Sequence, residues 1–227
     1  MPALTWHGHS CFVLEHGGKR IIIDPFLTGN AKADLDAAKL PHLDAILLTH
    51  GHGDHLGDAV PLAKRDGALV VAPYELALYC EEQGAPNVHP MHIGGAREFP
   101  FGRVKLVVAI HGGMVEGGGG GRFTTFPCGF VVTLGGKSVY HAGDTALTMD
   151  MRLLEGRVDV MLVPIGDNYT MGIEDAARAV AFVKPAVAIP MHWGTFPVIE
   201  ADPHAFKQAV GKQAEVVVLQ PGQSFDF

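Results

Sequence analysis

The sequence predicts an α/β fold with two mixed sheets, on three observations. Short β-branched apolar runs recur along the chain, helix-like stretches separate several of them, and each half carries a Gly-Gly turn between two such runs. In chain order the strand candidates are 20–24, 44–49, 68–72, 104–110, 130–134, 158–164, 186–190 and 215–219. Each is short and rich in Val and Ile, which favours buried strands over helices. The turn Gly17-Gly18 joins 11–15 to 20–24, and Gly135-Gly136 joins 130–133 to 138–141. Adjacent glycines adopt positive φ at little cost, so both pairs read as hairpins. Helices are expected at 56–66, 74–82, 173–183 and 203–210. In the third, Ile173, Ala176, Ala177, Val180 and Val183 share one face while Glu174, Asp175 and Arg178 take the other. Residues 87–95 read as a loop carrying two surface histidines, His89 and His92. The five glycines Gly117 to Gly121 read as a flexible loop, with a mobile flap as the functional alternative because His111 lies just before them.

Composition narrows the function classes. A chain of 227 residues with 48% hydrophobic and 18% charged residues can bury a substantial core. Seventeen Lys and Arg against 24 Asp and Glu give a net charge of -7, which removes the usual driving force for nonspecific binding to nucleic acid or anionic membranes. No apolar run reaches the length of a membrane helix and residues 1–10 lack a leader pattern, so a cytoplasmic protein without membrane association is expected. Cys11, Cys80 and Cys128 form neither a disulfide framework nor a CxxC thiolate site. The informative residue is histidine, present 13 times.

At the end of the apolar strand 45–48 stands Thr49-His50-Gly51-His52-Gly53-Asp54-His55. Imidazole and carboxylate suit zinc, iron, nickel or manganese, and the glycines allow a tight turn to aim alternate side chains at one point. Asp54 is also placed to begin a helix. This HxHxDH pattern resembles the signature of the metallo-β-lactamase superfamily. Three further strand ends fit the superfamily's order: Ile110-His111, His141-Ala142-Gly143-Asp144-Thr145 and Pro190-Met191-His192-Trp193. Trp6 to Phe12, Asp24 to Asn30, Val163 to Met171 and Pro190 to Pro197 extend the likeness along nearly the whole chain. In these motifs it resembles a branch of metal-dependent hydrolases related to ascorbate-6-phosphate lactonase.

The resemblance implies a four-layer αββα sandwich, with residues 1–227 forming a single domain. It implies that His50, His52 and His111 bind one metal, that Asp54, His55 and His192 bind a second, and that Asp144 bridges them. Asp24 is expected to orient a metal-binding histidine through a carboxylate hydrogen bond. His9 is expected near the metals, His7 and His141 in structural roles, and Tyr169 on a specificity loop. Two divalent ions, zinc first and manganese, nickel or iron as alternatives, would bridge a hydroxide for attack on a small anionic ester, lactone or phosphoester. Asp54 is the candidate to orient that nucleophile or take its proton.

A phosphodiesterase or nuclease on the same site is the alternative, against which stand the acidic balance and the lack of a Lys/Arg cluster. An iron-dependent redox protein lacks an accompanying flavin domain or CxxC, and a scaffold that has lost catalysis would not retain every ligand. Residues 193–199 are apolar enough for either a subunit contact in a homo-oligomer or a pocket wall.

Overall fold

The computed structural model describes residues 1–115 and 124–227, and the glycine run 117–121 lies outside the described residues. The first sheet is laid down by β1 (Ala3–Trp6), β2 (Phe12–His16), β3 (Lys19–Ile23), β4 (Ala45–Leu47), β5 (Leu69–Pro73) and β6 (Asn87–Met91). The second contains β7 (Ala96–Phe99), β8 (Gly102–Val108), β9 (Cys128–Leu134), β10 (Lys137–His141), β11 (Val160–Pro164), β12 (Val187–Met191) and β13 (Glu215–Val216). The last strand, β14 (Ser224–Asp226), returns to pair antiparallel with β1 in the first sheet. Each sheet is therefore antiparallel in one half and parallel in the other: β3 to β6 run parallel, as do β10 to β13.

Near-continuous apolar strands are required because both faces of each sheet's central strands are covered. In the first sheet the alternation splits cleanly. Phe12, Leu14, Ile21, Ile23 and Leu47 face the second sheet, whereas Val13, Ile22 and Ile46 join the layer beneath the helices. That outer layer is closed by Leu62 and Ala63 of α2 (Ala59–Asp66), which follows α1 (Gly53–Leu56), and by Leu76, Ala77 and Cys80 of α3 (Tyr74–Glu82). Over the second sheet, α4 (Ile173–Val183) buries Ala176, Val180 and Val183, and α5 (Pro203–Val210) packs beside it through Phe206. The result is two mixed sheets face to face with helices outside. Each fully buried Ile or Leu contributes about 1.5–3 kcal/mol, so this double coverage supplies much of the stability.

Three expectations are corrected. The helix expected at 56–66 is two helices, because Gly57 turns at φ +40 and Asp58 turns its carboxylate to the amides of Leu27 and Thr28. The loop expected at 87–95 is a strand over its first half, with Ala72 opposite Pro90 in parallel register. An edge strand tolerates the missing Pro90 N–H and needs little apolar sequence, which is why it was unreadable. His89 is accordingly half-buried against Phe99, ring centroids 5.1 Å apart, while His92 is exposed and stacks on Tyr74. The run expected as a strand at 215–219 pairs only over Glu215–Val216.

Candidate metal centre

The chemistry-bearing side chains gather where several strands run out at the same edge. Asp24 follows β3, His50 to His55 follow β4, His111 follows β8, Asp144 follows β10 and His192 follows β12. His9 joins them from the β1 to β2 connection. Among the described residues three overlapping groups form, each with ligand atoms within 4.8 Å of one another: His50, His52 and His111 in one, His9, Asp54, His55 and His192 in another, and His50, His55 and Asp144 joining the two. Asp144 lies between them, 3.2 Å from His55 Nε2, 3.0 Å from His192 Nε2 and 3.5 Å from His111 Nε2.

Hydrogen bonds fix which ring nitrogens face inward. Asp24 is fully buried; its Oδ1 accepts from the Thr49 amide at 2.8 Å and its Oδ2 from the Thr49 hydroxyl at 2.7 Å. The same Oδ2 accepts from His55 Nδ1 at 2.7 Å. Thr49 has one hydroxyl proton and gives it to Asp24, so at 3.0 Å it accepts from His50 Nδ1. One carboxylate thus sets the tautomers of two histidines, leaving the Nε2 lone pairs of both directed into the site. His141 is fixed differently. Its Nε2 donates to the Ser10 carbonyl at 2.9 Å while its Nδ1 accepts from the Gly143 amide, a buried structural role. His7 donates from Nδ1 to Asp34 at 2.8 Å, away from the cluster.

The donor set fits divalent cations. His9 Nε2, His55 Nε2, His192 Nε2 and Asp144 Oδ1 are all buried without a hydrogen-bond partner among the described residues. Leaving such atoms bare costs about 1–3 kcal/mol each, yet here they converge on one another. Electrostatics point the same way. Burial pushes His50 well below the ordinary imidazole range, reinforced by the charge of His55, and burial likewise lowers His111. His9 falls to about 4, burial outweighing the Asp54 carboxylate beside it. These imidazoles are neutral at pH 7, as ligation requires. For His55, burial is overcome by Asp144 and Asp24, and its pKa is raised well above normal. His55 Nε2 stands between the carboxylates of Asp144 and Asp54, 3.2 and 4.0 Å away, where a cation would balance them. Burial would raise Asp144 and Asp54, but His55 and His192 hold Asp144 well below the carboxylate range, and the adjacent His9 and His55 do the same for Asp54.

The backbone is unusual at three of these positions. His9, Asp24 and His192 have φ of 54, 47 and 54, the left-handed region that costs a non-glycine residue about 1–3 kcal/mol. His9 is pinned there because its carbonyl accepts from Trp6 Nε1 at 3.0 Å and from the His192 amide at 3.1 Å. Gly143 also sits at positive φ, +64, and a Cβ there would lie 2.7 Å from the Cys128 carbonyl and 3.2 Å from Thr49 Cβ. Gly143→Ala is therefore expected to lower stability by about 1–3 kcal/mol and to displace Asp144 next to it, read as a lower Tm together with reduced metal content.

Sequence reasoning placed His9 near the metals, and the structure sets its Nε2 3.2 Å from Asp54 Oδ2 within the second group. It overlooked Thr49, whose signal was its position immediately before the HxHxDH run, and Thr195, whose hydroxyl lies 2.9 Å from His9 Nδ1. Phe26 and Phe196 wall His9, each 5.8 Å away between ring centroids, which puts part of the 193–199 stretch at the site. Tyr169 is 56% exposed on the turn after β11 and is not among the clustered groups.

Comparison with known proteins shows the family and the fold. Residues 3–192 match the family model described as a β-lactamase superfamily domain. A UPF0173 metal-dependent hydrolase of Bacillus cytotoxicus is 54% identical, over 97% of this chain and 98% of its own. Another, from Heliobacterium modesticaldum, is 48% identical over 99% and 97%. Among solved structures, Igni18, a metallo hydrolase from the archaeon Ignicoccus hospitalis, superposes with a TM-score of 0.89 at 35% identity, covering 100% of this chain and 99% of that one. A histidine and aspartate cluster at the strand ends, in a chain matched from end to end by such relatives, makes this protein a member of the metallo-β-lactamase superfamily and, within it, of the UPF0173 metal-dependent hydrolases.

Proposed function

We propose that this chain is a dinuclear hydrolase of a small anionic ester, lactone or phosphoester, acting as one domain in the cytoplasm. The observation that carries the reading is Asp144, buried between two groups of ligand atoms and touching histidines of both. His50, His52 and His111 would hold one ion, Asp54, His55, His192 and His9 the other, with Asp144 shared. When bound, two divalent ions, zinc first on the chemistry of the donors, supply Lewis acidity and a water whose pKa falls from about 15.7 to about 7.

The chain's own groups do the rest. Asp24 and Thr49 hold His50 and His55 in the required tautomers, and Thr195 fixes the His9 ring. Asp54, partly exposed and ionised, is the group placed to orient the nucleophile or take its proton. Two dications outweigh the carboxylates of Asp24, Asp54 and Asp144, so the site attracts an anion. Phe26 and Phe196 limit water access beside His9.

Elemental analysis of protein expressed in unsupplemented medium tests this reading. About two metal ions per chain are expected, together with chelator-sensitive turnover on a lactone and phosphoester panel that His50→Ala and His192→Ala abolish. No metal after reconstitution, or turnover unchanged in those variants, would overturn it.

A further inference from the structure

The outer face of β8, β9 and β10, with the 3-10 segment Met149–Leu154 beside it, encloses a cavity of about 340 Å³. It shares no lining residue with the histidine cluster, and its size falls within the range of small-ligand sites. Cross-strand register explains its character. Lys105, Val131 and Tyr140 stand opposite one another in a single row across the three strands, on the face turned away from the first sheet. The row runs from a cation on β8 through an apolar centre to a buried phenol on β10. Leu153 and Leu154 supply an apolar side wall, and Leu153 is 71% exposed there.

Two polar features give the cavity a preference. Tyr140 is 1% exposed and brings a phenol to the lining. At the mouth stand Lys105 and Arg157, neither paired with a carboxylate among the described residues, whereas Arg103 is engaged by Glu98 at 3.2 Å. Asp150 is the one carboxylate in the lining. Two free cations over an apolar floor, in a chain of net charge -7, form a surface complementary to an anion with an apolar body.

We propose that this cavity is a second ligand site, for a small amphipathic carboxylate. Lys105 and Arg157 receive the carboxylate, the tail lies on Val131 and Leu154, and Tyr140 forms the floor. The site stands independently of the metal-centre reading, because none of its residues belongs to the cluster.

Calorimetric titration of the metal-loaded protein with octanoate, and with octanol as the uncharged match, tests it. Octanoate is expected to bind once per chain, at least about tenfold more tightly than octanol. The double variant Lys105→Glu/Arg157→Glu, whose changes lie at the surface, is expected to weaken octanoate by about tenfold or more, and Val131→Trp to abolish binding by filling the cavity. Absence of saturable binding, or equal affinity for octanoate and octanol, overturns the proposal. So does affinity unchanged in both variants, which would place the carboxylate at the metals instead. A native dimer that the double variant converts to monomer also overturns it, since the face would then be a subunit contact.

Discussion

Asp144→Asn is expected to fold and to lose both metal and turnover, the latter by on the order of 10² to 10³ or more. The amide keeps the volume of a side chain that is 3% exposed, so packing around β10 is undisturbed. What changes is charge and polarity at a point within 3.0 to 3.5 Å of three histidine Nε2 atoms. A negative acceptor shared by both groups becomes neutral and presents N–H donors to lone pairs. His55 and His192 hold the native carboxyl well below its usual range, so it is ionised at neutral pH. Metals per chain and kcat/KM, measured on the same preparation, check this. A variant with two ions and native turnover would remove Asp144 from the centre.

The second large effect falls on stability as well as activity. Asp24→Ala leaves the Thr49 amide, the Thr49 hydroxyl and His55 Nδ1 buried without an acceptor. Each stranded donor costs about 1–3 kcal/mol, and part of that is recovered by relaxation, so a loss of about 3–5 kcal/mol is expected. Freed from Asp24, His55 can adopt the other tautomer, and His50 loses its fixed partner through Thr49. Metal affinity is expected to fall by about 10- to 100-fold. Chemical denaturation of the metal-free protein separates the two effects, because a purely electrostatic role would leave the apo fold as stable as the native one.

Much of this was legible in the sequence because its signals are local. Both hairpins sit at the expected Gly-Gly turns, and the helices at Tyr74–Glu82, Ile173–Val183 and Pro203–Val210 coincide with the expected spans. The HxHxDH run reads at once because four donors fall within six residues. The edge strands β6, β7 and β14, and β1 beside β14, were invisible for a physical reason. An edge strand pairs along one side only and needs little apolar sequence, so neither length nor hydrophobicity marks it. The pairing of β14 with β1 joins residues more than two hundred positions apart. His9 was expected near the metals, and only its contact with Asp54 needed the finished sheets, whereas Thr49 was an ordinary strand-end threonine until Asp24 is brought against it.

The left-handed residues His9, Asp24 and His192 also bear on how this protein responds to engineering. A search for stabilising substitutions by backbone preference would offer glycine at each of these, alongside Asp167, Asn168 and Lys184. Relaxation at His9 and His192 would raise the melting point while deleting two imidazoles, whereas at Asp24 the three stranded donors would outweigh it. Variants chosen on heat resistance alone would therefore drift toward inert scaffolds, and a directed-evolution scheme on this fold has to select for bound metal alongside survival of heating.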